Sequence, residues 1–263
     1  MATARGEGEQ VLPMRGVDLV LARRGEGPPL LWLHGEDGAR PDSSFIERLA
    51  ERFEVFAPTH PGFGGSDLPG WIDHIDDLVY LYMDLLDRLK LENVTLVGTS
   101  MGGWIAAEMA VRSTARLARV VLVGAVGVKV GDRETRDIPD IWGLHPREVA
   151  ERVWHRREMI PDYSKMTDTQ LEGIARDQEA AALYLWEPYM HNPRLARRLH
   201  RIDRPTLMLR GAHDGLVSQA YMDAWAAMIP GAARVVIEGA GHVPDVERPE
   251  ALAREILRFA GLA

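Results

Sequence analysis

Residues 94–103 read Val-Thr-Leu-Val-Gly-Thr-Ser-Met-Gly-Gly, and this stretch decides the predicted fold. The run Val94 to Val97 predicts a buried strand, and the residues that follow the glycines have helical character. The chain must therefore turn sharply, with Ser100 at the apex in a strained backbone conformation. A Cβ atom two residues to either side would collide with the turn, which explains Gly98 and Gly102. The stretch predicts a serine hydroxyl raised above a sheet.

Other short apolar runs alternate with segments of helical period. Runs of this length suit strands buried on both faces, as in a parallel sheet. The predicted strands are Leu30–Leu33, Val94–Val97, Val120–Val123, Thr206–Leu209 and Val235–Ile237. Helices are predicted at residues 45–53 and 75–89, and a C-terminal helix begins beside Pro249. This alternation predicts an α/β fold with a mostly parallel, doubly wound sheet.

The alternation stops after residue 128 and resumes near Pro205. Residues 129–198 contain helical pieces and many aromatic side chains, but no clear buried strand. We therefore expect a core domain made of residues 1–128 and 199–263. Residues 129–198 form a helical cap, or lid, inserted between its two halves.

Composition excludes several classes of function. The 263 residues include no cysteine, so a disulfide framework, a thiolate nucleophile and a cysteine-ligated metal are excluded. The net charge of −8 argues against a nucleic-acid or anionic-membrane partner. The N-terminus lacks a signal-peptide pattern, and the run Val120–Val128 is too short to span a bilayer. We expect a cytoplasmic protein.

A serine hydroxyl becomes a useful nucleophile only when a base accepts its proton and an acid orients that base. The expected order along the chain is serine, acid, histidine. Asp214 follows the fourth predicted strand and His242 follows the fifth, which fits this order. The weaker alternatives are His213 as base, which adjoins the acid, and Asp223 or Asp245 as acid. We therefore predict a catalytic set of Ser100, Asp214 and His242.

The loop after Leu33 reads His34-Gly-Glu-Asp-Gly38 and should supply part of an oxyanion hole. Backbone N–H groups act there, so Glu36 and Met101 are the expected donors. Two carboxylates beside a developing anion are unexpected. We predict that the side chains of Glu36 and Asp37 face solvent or bond within the loop, the alternative being contact with a polar substrate group.

These landmarks resemble the α/β-hydrolase superfamily, from about Val11 to the C-terminus. The matching motifs are His34-Gly35, residues 58–67 (Pro-Thr-His-Pro-Gly-Phe-Gly-Gly-Ser-Asp), residues 98–103, Asp214 and Gly241-His242. The chain is similar to the branch of small esterases, lactonases and meta-cleavage carbon–carbon hydrolases, whose members carry a helical cap. Serine at position 100 disfavours haloalkane dehalogenase and epoxide hydrolase activity. The departure is Glu36-Asp37, where small or apolar residues are more usual.

The expected activity is cleavage of a carboxylic ester or lactone of a small to medium acyl substrate through an acyl-enzyme. No cofactor or metal is expected, and the protein should be a monomer or homodimer. Candidate pocket residues are Trp104, Trp186, Tyr189 and Val243, although large aromatics more often serve packing. Two alternatives stay open. One is a carbon–carbon hydrolase of a meta-cleavage product, which would need cationic groups near the pocket, and the other is a non-catalytic ligand-binding protein of this fold.

Overall fold

The computed structural model describes residues 8–263, which contain ten strands and eight α-helices. The strands are β1 (Glu9–Met14), β2 (Val17–Arg24), β3 (Pro29–Leu33), β4 (Glu54–Pro58), β5 (Val94–Thr99), β6 (Leu117–Val123), β7 (Gly127–Val128), β8 (His191–Asn192), β9 (Thr206–Gly211) and β10 (Ala233–Ile237). The helices are α1 (Ser44–Ala50), α2 (Ile75–Arg88), α3 (Met101–Arg112), α4 (Pro146–Val153), α5 (Asp168–Leu185), α6 (Gln219–Ala226), α7 (Pro244–Glu247) and α8 (Pro249–Ala260).

Eight of the strands form one sheet in the order β1-β2-β4-β3-β5-β6-β9-β10. The neighbouring pairs β4–β3, β3–β5, β5–β6, β6–β9 and β9–β10 are parallel. The pairs β1–β2 and β2–β4 are antiparallel. This confirms the predicted α/β-hydrolase fold and its mostly parallel sheet. Because β3, β5, β6, β9 and β10 are parallel, the loops after them meet at one edge of the sheet, where side chains from distant parts of the chain can converge.

Both faces of the sheet are buried. Along β6, Val120 and Leu122 belong to one hydrophobic cluster, whereas Val121 and Val123 belong to the other. This alternation follows from the two-residue period of a strand. Helices α2 and α3 cover the first face, and α1 and α8 cover the second. A strand that is buried on both faces has apolar residues at successive positions. The apolar runs in the sequence therefore predicted a parallel sheet.

Residues 129–198, called the cap segment below, include α4, α5, β8 and two short 3₁₀ turns, Arg157–Met159 and Tyr163–Lys165. Helix α5 begins with a capping box in which Thr167 and Gln170 each accept a hydrogen bond from the other's backbone N–H. Only its last part is buried. Among residues 8–263, no helix combines the length and apolar character that a membrane crossing requires.

Hydrogen bonds connect α5 to the loop after β4. The Arg176 guanidinium donates to the carbonyl oxygens of Gly62 and Ser66, at 3.2 and 2.8 Å. The backbone N–H of Gly64 donates to Asp177 Oδ1 at 2.8 Å. These bonds hold the cap segment against the edge of the sheet. The division of the chain into core and cap at residues 128 and 198 stays a prediction.

Candidate active site

Ser100 lies in a strained turn between β5 and α3. Its φ of 48° and ψ of −111° are values that residues with a side chain rarely adopt. A Cβ atom on Gly102 would lie 2.1 Å from the carbonyl oxygen of Leu33, and one on Gly98 would lie 2.2 Å from that of Gly102. The collision at Gly98 is with the turn itself, as inferred from the sequence, whereas the collision at Gly102 is with the neighbouring strand β3. The glycines allow the turn that brings Ser100 to the edge where the parallel strands end.

Three side chains from three loops form one hydrogen-bonded line. His242 Nε2 lies 2.9 Å from Ser100 Oγ, and His242 Nδ1 lies 2.9 Å from Asp214 Oδ2. All three residues are buried. The other oxygen of Asp214 accepts the backbone N–H groups of Leu216 and Val217, at 2.9 and 2.8 Å. These two bonds fix the carboxylate, so Oδ2 faces the imidazole.

The alternative base and acids have other partners, although Asp245 lines the same cavity as Ser100. The ring of His213 stacks on that of His155, with centroids 3.7 Å apart and planes inclined by 7°. Asp223 pairs with Arg234 at 2.9 Å. Asp245 is buried, but its nearest ionic partner is Arg40 at 3.8 Å, not His242. The structure therefore brings Asp214 and His242, and none of the weaker alternatives, into line with Ser100.

The cap segment hydrogen-bonds to the loops of both the acid and the base. The backbone N–H of His242 donates to the carbonyl oxygen of Val153 at 2.7 Å. The N–H of Gly215, next to Asp214, donates to the carbonyl oxygen of Arg152 at 2.9 Å. Backbone carbonyls carry no sequence signature, so sequence reasoning missed both contacts.

A buried carboxylate adds a second connection between the cap segment and the base loop. Glu247 Oε2 accepts the backbone N–H of Gly241 at 2.5 Å, and its Oε1 accepts that of Arg156 at 2.6 Å. Glu247 is 1% exposed. Sequence reasoning missed this residue also, because a lone glutamate in a helix gives no sign of its burial. The loop that carries His242 is thus held by both a carbonyl and a carboxylate.

Residues 30–255 match the alpha/beta hydrolase family. The chain belongs to this family. It is 28% identical over 260 residues to a 2-hydroxymuconate semialdehyde hydrolase of Pseudomonas putida, a match covering 90% of this chain and 88% of that one. It is 27% identical over 252 residues to a pimeloyl-(acyl-carrier protein) methyl ester esterase of Aeromonas hydrophila, covering 91% and 98%. A solved meta-cleavage product hydrolase superposes with a TM-score of 0.80 at 23% identity, covering 97% of this chain and 98% of that one.

Glu36 of this alpha/beta hydrolase does not face solvent. Its Oε1 lies 3.6 Å from His242 Nε2, and its side chain is 13% exposed. Burial alone would raise the pKa of Glu36, but His242, Ser100 and the backbone N–H of Glu36 itself outweigh it and lower the pKa to about 2. Of the two predicted arrangements of Glu36, the solvent-facing one is wrong, because the imidazole stabilises the carboxylate inside the site, whereas bonding within the loop is present through the backbone N–H of Glu36. Asp37 stays half-exposed and lies 3.6 Å from Arg40.

The base of this alpha/beta hydrolase is flanked by two carboxylates. Burial alone would lower the pKa of His242, but Asp214 and then Glu36 outweigh it and raise the pKa well above its usual value. Asp214 approaches Nδ1, and Glu36 approaches Nε2, the nitrogen that also faces Ser100. Both carboxylates therefore favour the protonated form of His242 over the neutral one.

The space beside Ser100 in this alpha/beta hydrolase is a cavity of about 20 Å³, enough for one water molecule. Its lining includes Ser100, His242, Val243, Glu36 and Asp245. Val243 thus lies at the cavity, as predicted, and its role in binding stays a prediction. A molecule larger than water fits this cavity only if the Glu36 side chain or the cap segment moves.

The structure does not bring the other three predicted pocket residues to this cavity. Trp104 is buried and lies against Gly127, where an added Cβ would be 2.3 Å from its ring. Trp186 is 58% exposed and packs edge-on against Trp142. The Tyr189 hydroxyl donates to the carbonyl oxygen of Pro139 at 2.6 Å. In this arrangement the three aromatics pack within and beneath the cap segment.

The predicted oxyanion donors adjoin Ser100. Met101 is the first residue of α3, where backbone N–H groups are free of helical partners. Glu36 follows Gly35, whose added Cβ would lie 3.3 Å from Ser100 Cβ. The loop after β3 therefore contacts the turn at Ser100. The roles of the two N–H groups stay predictions.

One group of metal-type ligands occurs in the part of the chain that the structure describes. Asp73, His74 and Asp77 place ligand atoms within 4.8 Å of one another near the start of α2. Asp77 Oδ2 already accepts the backbone N–H groups of Asp73 and His74, at 3.2 and 3.1 Å. These side chains therefore serve the helix N-terminus, and we assign no metal to them.

Proposed function

We propose that this chain is a serine hydrolase that cleaves a carboxylic ester or lactone of small to medium size through an acyl-enzyme. The line from Ser100 Oγ through His242 to Asp214, with both contacts at 2.9 Å, carries the proposal. This geometry lets one imidazole take a proton from the serine and later return it to a leaving group. The name of the Aeromonas hydrophila relative, an ester esterase, agrees with this chemistry.

The proposed reaction has two halves. Ser100 Oγ attacks the acyl carbonyl while His242 Nε2 takes its proton, and Asp214 holds Nδ1–H and stabilises the imidazolium. The backbone N–H groups of Met101 and Glu36 bind the oxyanion, each worth about 10²–10³ in kcat. His242 then protonates the leaving oxygen. In the second half, water loses a proton to His242 and releases the acyl group from Ser100.

Residues 129–198 act in this proposal as a cap over the site. The cavity beside Ser100 is too small for an acyl group, and α5 is hydrogen-bonded to the loop after β4. Movement of the cap, or of the Glu36 side chain, would admit substrate, and its return would exclude water.

Carbon–carbon hydrolysis is the alternative, because the 2-hydroxymuconate semialdehyde hydrolase covers most of the chain at 28% identity. That relative's name denotes a carboxylate substrate. Three carboxylates, Glu36, Asp37 and Asp245, line the cavity here against one arginine, Arg40. An anionic substrate would meet like charges. This charge balance favours an ester or lactone without a carboxylate.

A fluorophosphonate probe with p-nitrophenyl acetate and butyrate tests the proposal, and Ser100→Ala is the control. We expect labelling and turnover in the wild type and loss of both in the variant. The ratio of acetate to butyrate turnover would begin to size the pocket. Labelling without ester turnover would favour carbon–carbon cleavage. Absence of labelling in folded wild-type protein would refute an activated serine and revive a non-catalytic, ligand-binding role.

A further inference from the structure

Two buried carboxylate oxygens at the cavity beside Ser100 lack hydrogen-bond partners. They are Glu36 Oε2 and Asp245 Oδ1, and among residues 8–263 only one other buried side-chain atom, Trp225 Nε1, shares this state. Asp245 lies in α7, directly after the base loop, and its side chain is 7% exposed. A buried acceptor without a protein donor is costly, so two at one small cavity favour the binding of a group that donates hydrogen bonds.

The available positive charge does not balance these carboxylates. Arg40 is the one lysine or arginine in the cavity lining, which also holds Glu36, Asp37 and Asp245. Its guanidinium is shared between Asp37 at 3.6 Å and Asp245 at 3.8 Å, and both distances exceed a normal hydrogen bond. The lining therefore carries an excess of two negative charges when His242 is neutral, and of one when His242 is protonated.

The electrostatics of Asp245 agree with a shortage of positive charge around its carboxylate. Burial raises the pKa of the Asp245 carboxyl, although Arg40 counteracts this. A buried carboxylate with a well-placed cation would have a lowered pKa instead. Asp245 is thus in an environment that a further positive charge would improve.

We propose that this cavity is a subsite for a protonated amine carried by the substrate, held between Glu36 and Asp245. An ammonium group has three donors and no acceptor, so it has enough donors for both unpartnered oxygens. Charge-assisted bonds of this kind are about twice as strong as neutral ones. The proposal rests on the proposed serine hydrolase activity and narrows its substrates to amine-bearing esters or lactones.

An amine would also open the site for chemistry. The Glu36 carboxylate now lies 3.6 Å from His242 Nε2, close to the space that the scissile group must occupy. A substrate ammonium competes with the imidazole for that carboxylate and draws it aside. His242 then loses one of its two negative neighbours and becomes a free base for Ser100. Binding of the correct charge and activation of the base are thereby linked.

Three phenylboronic acids test the subsite, since boron forms a bond to Ser100 Oγ while His242 takes the serine proton. They carry aminomethyl, ethyl or carboxymethyl groups at the meta position and so differ mainly in charge. Inhibition constants are measured against p-nitrophenyl acetate hydrolysis. We expect the aminomethyl compound to bind about tenfold tighter than the ethyl one, and the carboxymethyl compound to bind weakest.

The variants Glu36→Gln and Asp245→Asn should each reduce the aminomethyl-to-ethyl preference, and the double variant should abolish it. Glu26→Gln is the matched control, because Glu26 is exposed in the loop before β3, at the opposite end of that strand from Glu36. Equal or tighter binding of the ethyl compound to the wild type would overturn the subsite, as would a preference unchanged in both single variants.

Calorimetric titration of the same compounds tests the amine subsite separately from the serine hydrolase activity. Ester turnover without a charge preference would refute the subsite alone. Absence of both fluorophosphonate labelling and turnover would refute the serine hydrolase, while calorimetry would still show whether the aminomethyl group is preferred.

Discussion

The backbone N–H of His242 donates to the carbonyl oxygen of Val153, 2.7 Å away. This bond joins the loop of the candidate base to the end of α4, in the cap segment. The acid loop has an equivalent bond, from Gly215 to Arg152 at 2.9 Å. The relative placement of Asp214 and His242 therefore depends on a segment that contributes neither side chain.

The pH profile should report the Glu36 carboxylate. His242 must be neutral to accept the serine proton, and Asp214 and Glu36 together outweigh burial to raise its pKa. Activity should therefore fall as pH drops through this raised pKa. Glu36→Gln removes one negative neighbour, and should move the acidic limb of kcat/KM for p-nitrophenyl acetate about one pH unit lower, or roughly 1.4 kcal/mol.

Glu26→Gln, which leaves the surroundings of His242 unchanged, should keep the wild-type profile. Asp37 and Asp245 are also near His242, so some upward shift of its pKa should persist in Glu36→Gln. An acidic limb that stays in place or rises in Glu36→Gln would contradict the role given to this carboxylate.

Gly102→Ala should destabilise the fold. The added Cβ would lie 2.1 Å from the carbonyl oxygen of Leu33, which belongs to the central sheet and cannot withdraw. We expect a loss of about 3 kcal/mol or more in the free energy of unfolding, measured with urea. Gly70→Ala is the control, because its Cβ would meet no atom within 4 Å. Equal stability of the two variants would refute the close approach.

Glu247→Gln should slow catalysis without touching substrate. A glutamine has one acceptor oxygen, so it can accept from Gly241 or from Arg156 but not from both. The loop of His242 would lose part of its support. We expect about 2 kcal/mol lower stability, and a reduced kcat with KM little changed. Glu250→Gln, at an exposed position of α8, should have neither effect, and a changed KM with intact kcat would contradict this positioning role.

Arg176→Met should favour bulky substrates. It removes the two bonds from α5 to Gly62 and Ser66 while keeping an apolar stem of similar length. If the cap must move to enlarge the 20 Å³ cavity, a weaker attachment should raise the turnover of p-nitrophenyl octanoate relative to acetate about threefold, equivalent to roughly 0.6 kcal/mol. Arg157→Met, exposed in the same segment, should leave the ratio unchanged. A lower ratio in Arg176→Met would argue against cap movement.

Local patterns carried most of the correct predictions. The strand, turn and helix around Ser100 are consecutive in the chain, and the steric need for Gly98 depends only on that turn, whereas that for Gly102 comes from the neighbouring strand β3. Asp214 and His242 were located because each follows a parallel strand, and such loops meet at one edge. The strands β1, β2 and β4 of the main sheet were not predicted, because strands were recognised by continuous apolar runs. Strand β4, for example, has only three uninterrupted apolar residues before its proline.

The contacts that sequence reasoning missed link distant parts of the chain. The direction of the Glu36 side chain is set by His242, which the chain reaches only near its C-terminal end. Similarly, Val153 acts through a carbonyl oxygen that every residue possesses. The aromatic side chains of the cap segment could pack in many ways, and composition does not show which of them line a pocket. Trp186, which was predicted to line the pocket, is exposed.

The bonds from Arg152, Val153 and Arg156 to the loops of Asp214 and His242 have a consequence for protein engineering. A cap transplanted from another member of the family brings its own backbone path beside these loops. A chimaera that exchanges the whole of residues 129–198 would therefore alter the support of the acid and base loops along with every other contact of the segment. Retaining residues 152–156, and exchanging only the helix bound to the loop after β4, would leave the alignment of Asp214 and His242 in place.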